Sequence, residues 1–228
     1  MPNLSIDQIY RKYGRKRVLE GASFSACTGS AVGIVGVNGS GKSTLLSILA
    51  GIQKADQGRF LMQTGNGWID LLTDEKSLSS LVGYIPQGTP LMDELSARDN
   101  LLLWYGKEEM NKSLENGPLH ILGIGEFLKT KVKDMSGGMK KRLSIGCAVA
   151  KDPPILLLDE ACAALDLPCK KQILSYLRIH CQRGGNVILS THDLDELSIC
   201  RTVYVLKNGV LSLYPYDGNG DKLLEAIQ

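Results

Sequence analysis

The feature that most constrains this chain is a glycine-rich stretch set between a buried-strand pattern and a helical one. Ala31 to Val35 is a short apolar run stopped abruptly by Gly36, as expected of a parallel strand covered on both faces. From Ser43 to Ala50, Leu45, Leu46 and Leu49 recur at helical spacing, and Gly51 supplies a stop. Between the two lies Gly36-Val37-Asn38-Gly39-Ser40-Gly41-Lys42-Ser43, which fits G-x-x-x-x-G-K-[ST] in the strand–loop–helix context the pattern requires. Glycines let successive backbone N–H groups turn inward around phosphate oxygens, and the helix N-terminus adds partial positive charge. Lys42 is then expected to reach the β- and γ-phosphates and the Ser43 hydroxyl to ligate Mg²⁺. Nucleotide binding is the expectation. A guanine-reading Asn-Lys-x-Asp segment does not follow downstream.

Length and composition narrow the setting. A chain of 228 residues has room for one large domain, or one domain with an insertion, and needs no disulfide or metal staple. Basic and acidic side chains nearly balance at 26 against 24, so charge gives no reason to expect nucleic acid as a partner. Glycine is in excess, 25 residues against a usual share of about 7%, which points to tight loops. Apolar runs such as Ile155 to Leu158 fall far short of the roughly 18 to 20 residues that span a bilayer. The N-terminal region carries Arg11, Lys12, Arg15, Lys16 and Arg17 without an apolar core, so no secretory signal is expected. The cysteines (Cys27, Cys147, Cys162, Cys169, Cys181, Cys200) form no C-x-x-C pair and are expected to be free thiols in a reducing cytosol.

Along the chain, Leu4, Ile6 and Ile9 suggest a half-buried strand and Val18 to Phe24 a second. Residues 52–80 are polar and turn-rich, compatible with short strands and a surface helix, and Leu81 to Ile85 reads as a strand closed by Pro86. The stretch 91–149 changes character: Ser96-Ala97-Arg98-Asp99 resembles a capping box for a helix through Leu101 to Tyr105. Helical patterns follow at Leu119 to Leu128 and after Gly138, with no strand between them. Pro153-Pro154 ends this insertion, and strands at 155–158, 186–190 and 201–206 alternate with helices, which favours a parallel sheet.

Two further segments carry chemistry. The strand from Ile155 ends in Asp159-Glu160, where a carboxylate faces the ligand crevice of a parallel sheet. Met135-Ser136-Gly137-Gly138-Met139 opens a helix with an anion-binding turn and is followed by Lys140-Lys141-Arg142. With Tyr13 upstream, Gln87 after a strand, Leu165-Asp166, and His192 late in the chain, these residues resemble, in order and spacing from Leu4 to Leu213, the nucleotide-binding subunit of ATP-binding-cassette (ABC) ATPases.

The resemblance implies an α/β P-loop NTPase fold with a mainly parallel core sheet, an N-terminal antiparallel β subdomain and a helical insertion. It implies one domain over 1–228, with the catalytic core at 1–90 and 150–228 and the helical signature subdomain at 91–149. Tyr13 would stack on adenine, and the backbone of Asn38, Gly39, Ser40, Gly41 and Lys42 would cradle the phosphates with the Thr44 hydroxyl. Ser43, Gln87 and Asp159 would hold Mg²⁺; Glu160 would be the general base, and His192 would contact the γ-phosphate. Ser136, Gly137 and Gly138 would act on ATP held by a second cassette subunit, in a homodimer or heterodimer, with Asp166 linking the two sites. His120 and His180 fit no such position and read as structural.

Two positions depart from the family pattern: Met139 stands where Gln is usual, and Ala161 where Pro follows the glutamate. Neither is a reacting group, so ATP hydrolysis is expected to be retained, if slower. The resemblance further implies a separate transmembrane permease as partner and a place on the cytoplasmic face of the membrane. Docking would fall on 84–105, where Trp104 and Tyr105 are either anchors or helix-core residues. The run Ser136 to Leu143 resembles export more than uptake systems. A soluble ABC ATPase driving an assembly or mechanical process is the alternative.

Overall fold

In the computed structural model, which describes residues 2–163 and 165–227, the phosphate-loop strand lies in the interior of a six-stranded sheet. Positions 1 and 228, the ends of the expected domain, and position 164 lie outside the described residues. The chain opens with an antiparallel pair, β1 (Pro2–Tyr13) and β2 (Lys16–Cys27). The apolar alternation at Leu4 and Ile6 skips to Ile9 because Gln8 adopts φ 54° and the register shifts there. This bulge returns Ile9 to the covered face, so all three side chains are buried. β3 (Ala31–Val35) is buried along its length and feeds the loop that opens α1 (Lys42–Leu49).

The polar stretch at 52–80 resolves into the antiparallel pair β4 (Gln57–Thr64) and β5 (Gly67–Asp70), then α2 (Glu75–Leu81), whose Asp74 accepts the Ser77 N–H as N-cap. After β6 (Val82–Ile85) come α3 (Ala97–Leu102), α4 (Lys107–Asn116), α5 (Pro118–Ile121), 3₁₀ turns at 124–127 and 132–134, and α6 (Gly137–Ala148). Ser96 caps α3 by accepting the Asp99 N–H, and its hydroxyl donates to the Asp99 carboxylate at 2.6 Å. α3 stops at Leu102, short of the expected Tyr105, and Gly106 starts α4, which sequence periodicity does not reveal. The chain finishes with β7 (Ile155–Asp159), α7 (Leu167–Gln182), β8 (Asn186–Ser190), α8 (Leu194–Leu197), β9 (Thr202–Lys207), β10 (Val210–Tyr214) and α9 (Gly220–Ile227).

The large sheet has the order β10-β9-β3-β8-β7-β6, parallel throughout except for the edge strand β10. The second sheet, β2-β1-β4-β5, is antiparallel. Alternate residues of β7 enter two different cores. Ile155 and Leu157 join α1 and the antiparallel sheet, while Leu156 and Leu158 join α6, α7 and the helices of 97–127. The carboxyl ends of β3, β6, β7 and β8 therefore point to one rim, and the residues just beyond them meet there. All six cysteines are free, and among the described residues no helix is long and apolar enough to cross a membrane.

Phe60 on β4 is fully buried in the core that joins the antiparallel sheet to α1. Phe60→Ala should cost about 3–5 kcal/mol in urea unfolding. A loss below about 1 kcal/mol would mean that the two sheets do not share this core.

Candidate active site

The phosphate loop is shaped by what surrounds its backbone. A Cβ on Gly36 would lie 2.5 Å from the Leu206 carbonyl oxygen of β9, so only glycine lets the loop leave β3 there. Gly41 precedes α1 at φ 112°, a conformation that side chains resist, with the Val18 carbonyl of β2 close beside it. Lys42 is only 5% exposed, and its Nζ donates to the Gly36 carbonyl at 2.7 Å and the Val37 carbonyl at 3.2 Å. Burial pushes its pKa down, opposed by the negative fields of Glu160 and Asp159. The Ser40 hydroxyl is buried in the same loop without a hydrogen-bond partner, in keeping with a loop built to receive further acceptors or donors.

Across the rim, Asp159 is buried at the end of β7 and accepts the Ser190 hydroxyl at 2.5 Å. Glu160 follows in the left-handed region at φ 47°, its N–H donating to the Ser190 carbonyl at 3.0 Å. Its carboxylate accepts the Gln87 amide N–H at 3.0 Å and lies 3.8 Å from Nε2 of His192. The His192 pKa is lowered, first by burial and then by Lys42, with Glu160 opposing, so the imidazole is neutral at neutral pH. Lys141 of α6 donates from a buried Nζ to the Pro86 and Gln87 carbonyls, both at 2.9 Å, and ties the helical segment to this loop.

An open cleft of about 550 Å³ collects Tyr13, Asn38, Gly39, Gly41, Lys42, Ser43, Thr44, Gln87 and Glu160. A smaller recess of about 230 Å³ lies on the other side of Glu160, between it and His192. Tyr13 is exposed with one ring face under the Arg11 guanidinium, 4.8 Å from the ring centroid. Lys16 and Val18 also line the main cleft; no motif marks them, because they arrive through the β1–β2 hairpin.

Ser136, Gly137, Gly138 and Asp166 do not line this cleft. Ser136 caps α6 by accepting the Met139 N–H at 3.2 Å, and Asp166 caps α7 by accepting the Cys169 N–H at 2.8 Å. The Cys169 thiol reaches the Gly138 carbonyl at 3.5 Å, so the two helix starts adjoin. Met139 packs against the core, and Ala161 is fully buried. His180 is buried on α7, whereas His120 is exposed on α5. Tyr105 and Trp104 separate: Tyr105 is buried with its hydroxyl on the Gly146 carbonyl, and Trp104 is 60% exposed.

The described residues contain no cluster of three or more His, Cys, Asp or Glu able to hold a metal alone. Ser43, Gln87 and Asp159 nevertheless present hard oxygen donors at the rim, the set that suits Mg²⁺ sharing its shell with phosphate and water.

The family profile described as ABC transporter matches residues 19–163. The linearmycin resistance ATP-binding protein of Bacillus subtilis is 30% identical over 213 residues, covering 90% of this chain and 67% of its own length. The probable sulfate/thiosulfate import ATP-binding protein of Chlorella vulgaris is 30% identical, over 91% of this chain and 88% of its own. A nucleotide-free ATP-binding cassette from an ABC transporter shares the fold at TM-score 0.84 and 24% identity, over 99% of this chain and 96% of that one. A dimeric bacterial ABC transporter cassette matches at TM-score 0.77 and 26% identity, over 92% and 96%.

The left-handed backbone at Glu160 costs a non-glycine residue roughly 1–2 kcal/mol. Glu160→Gly should therefore raise stability in urea unfolding by about 0.5–1 kcal/mol, after the lost Gln87 contact and the added chain entropy are set against the relief. A drop of more than about 1 kcal/mol would show that the position is unstrained.

Proposed function

The chain belongs to the ABC transporter family as an ATP-binding subunit that hydrolyses ATP, and from that premise we propose that it works with a membrane permease and that its residues divide the work as follows. Tyr13 offers its free ring face to adenine, and the amides of 38–42 with the Thr44 hydroxyl cradle the phosphates. Lys42 exchanges the Gly36 and Val37 carbonyls for β- and γ-phosphate oxygens, a substitution of one set of acceptors for a charged, stronger one. Ser43, Gln87 and Asp159 would hold Mg²⁺, which supplies charge neutralisation on the phosphates when bound.

Glu160 is the general base, and His192 contacts the γ-phosphate as a neutral N–H donor. The observation that carries this reading is the convergence of Lys42, Gln87, Glu160 and His192 at one rim, while the signature turn does not line that cleft. Ser136, Gly137 and Gly138 thus complete the site of a second cassette, copy or relative, in a head-to-tail ATP sandwich, with Asp166 beside them at the interface. The core comprises 1–90 and 150–228, and 91–149 forms the helical signature subdomain; Met139 in the subdomain and Ala161 in the core slow hydrolysis without abolishing it.

A permease segment docks in the groove of about 240 Å³ between β6 and the helical segment, lined by Tyr84, Pro90, Leu91 and the exposed Trp104. Docked in this way, the subunit would lie on the cytoplasmic face of the membrane. The run Ser136 to Leu143 favours export. The Chlorella relative's name gives import, so direct transport assays decide direction.

Glu160→Gln should lower turnover by about 10²-fold or more and accumulate an ATP-bound dimer in sedimentation experiments. Normal turnover by this variant would remove Glu160 from the role. Purification from detergent-solubilised membranes should bring down a multi-span protein, and Trp104→Ala should weaken that association while leaving ATP affinity unchanged. Exclusively soluble partners would instead indicate a non-transport ATPase.

A further inference from the structure

Beyond the last β7–β8 pair, Asp159 with Ser190, the Glu160 N–H still reaches the Ser190 carbonyl, but the ladder goes no further toward His192. Yet Glu160 and His192 lie 3.8 Å apart, and Glu160 sits in a left-handed turn whose carbonyl accepts the Ala163 N–H at 3.3 Å. Something past the ladder must hold both loops in register. The side chain in that place is Glu196, on the helix after His192 and only 1% exposed. One carboxylate oxygen accepts the Cys162 backbone N–H at 3.1 Å, two residues after Glu160. The other accepts the Thr191 hydroxyl, one residue before His192. The Thr191 oxygen in turn accepts the Asp193 N–H at 2.9 Å, so the far side of His192 is held as well. Asp193 caps the same short helix and is paired with Lys170 on α7.

We propose that Glu196 is a positioning residue that clamps the turn after Glu160 to the turn bearing His192 and thereby sets the geometry of the reacting pair. A buried carboxylate is expensive to desolvate, and an apolar side chain would fill this place at lower cost. Burial indeed raises its pKa, while the Thr191 and Cys162 hydrogen bonds act the other way. What an apolar residue lacks is two acceptors aimed at two different loops. Glu196 and Thr191 do not line the main cleft that would hold the nucleotide but the smaller recess between Glu160 and His192, so the clamp acts chiefly on turnover.

This inference rests on the assignment of Glu160 and His192 above, and the test separates the two. The full chain is assayed at concentrations where ATP pairs it, with kcat and KM for ATP determined for Glu196→Ala, Glu196→Gln and Thr191→Val, and amide exchange followed at Cys162. Misplacement of a reacting group by about 1 Å costs on the order of 10²-fold in rate, so Glu196→Ala should lose about 10- to 100-fold in kcat with KM within about twofold. Its Cys162 amide should exchange faster. Glu196→Gln keeps an acceptor for the Cys162 N–H and should recover part of kcat and the slow exchange. Thr191→Val, near-isosteric, should lower kcat alone and serves if the alanine variant does not fold. Unchanged kcat in folded Glu196→Ala or Thr191→Val, or a glutamine variant no better than alanine, overturns the clamp. Normal turnover by Glu160→Gln, run in parallel, overturns the underlying assignment, whereas protected Cys162 exchange in Glu196→Ala overturns the clamp alone.

Discussion

Parallel hydrogen bonding among β6, β7, β8 and β3 is the constraint on which the site depends. Because these strands run in one direction and in fixed register, the residues that follow their carboxyl ends have to meet at one rim. Ile34 pairs with Ser190, Ser190 pairs with Asp159, and Leu158 pairs with Ile85 in the adjoining ladders. The phosphate loop, Gln87, Glu160 and His192 are each only a few residues beyond those pairs. Covering helices and the antiparallel sheet bury both faces, which makes the register costly to slip.

What the ladder cannot do is orient side chains past its end, and polar groups take over there. Ser190 holds Asp159, Gln87 holds Glu160, and Lys141 holds the loop that carries Gln87. Lys42, Lys141 and Glu196 are all buried and ionisable, and burial opposes the charge of each. Every one of them is held by named acceptors or donors, and every one bears on the same rim. Polar groups retained at that expense are better explained by geometry at the site than by stability of the fold.

Legibility in the sequence followed the strength of local pattern. β3 and β8 stand at the expected limits because each is an apolar run bounded by turn residues, fully buried in a parallel sheet. α4 escaped because it is polar along its length, with Met110 and Ser113 its buried positions, so no apolar stripe announces it. β10 escaped because it is a largely exposed edge strand, and α9 because its apolar face, Leu223 and Ile227, spans only about two turns. At the site, residues that belong to a motif were legible because phosphate chemistry demands particular types at particular spacings. Lys141 lies in the basic run 140–142 and Glu196 in the segment Asp193-Leu194-Asp195-Glu196, and charged stretches of this kind carry no sequence signal of burial. Their burial is produced by tertiary packing: Lys141 shares a helix face with Ser144 and Ile145, and Glu196 is covered by the loop after β7.

In the proposed arrangement the chain is half of a composite site, with the signature turn of one cassette serving the phosphate loop of another. Complementation tests that most directly. Copies carrying Lys42→Ala and copies carrying Ser136→Arg should each be inactive alone, since every site in either population has one damaged half. Mixed in equal amounts, they should regain ATP hydrolysis, because each mixed pair contains one site with an intact Lys42 facing an intact Ser136. Ser136→Arg copies that hydrolyse ATP alone as fast as the unaltered chain would contradict the composite site.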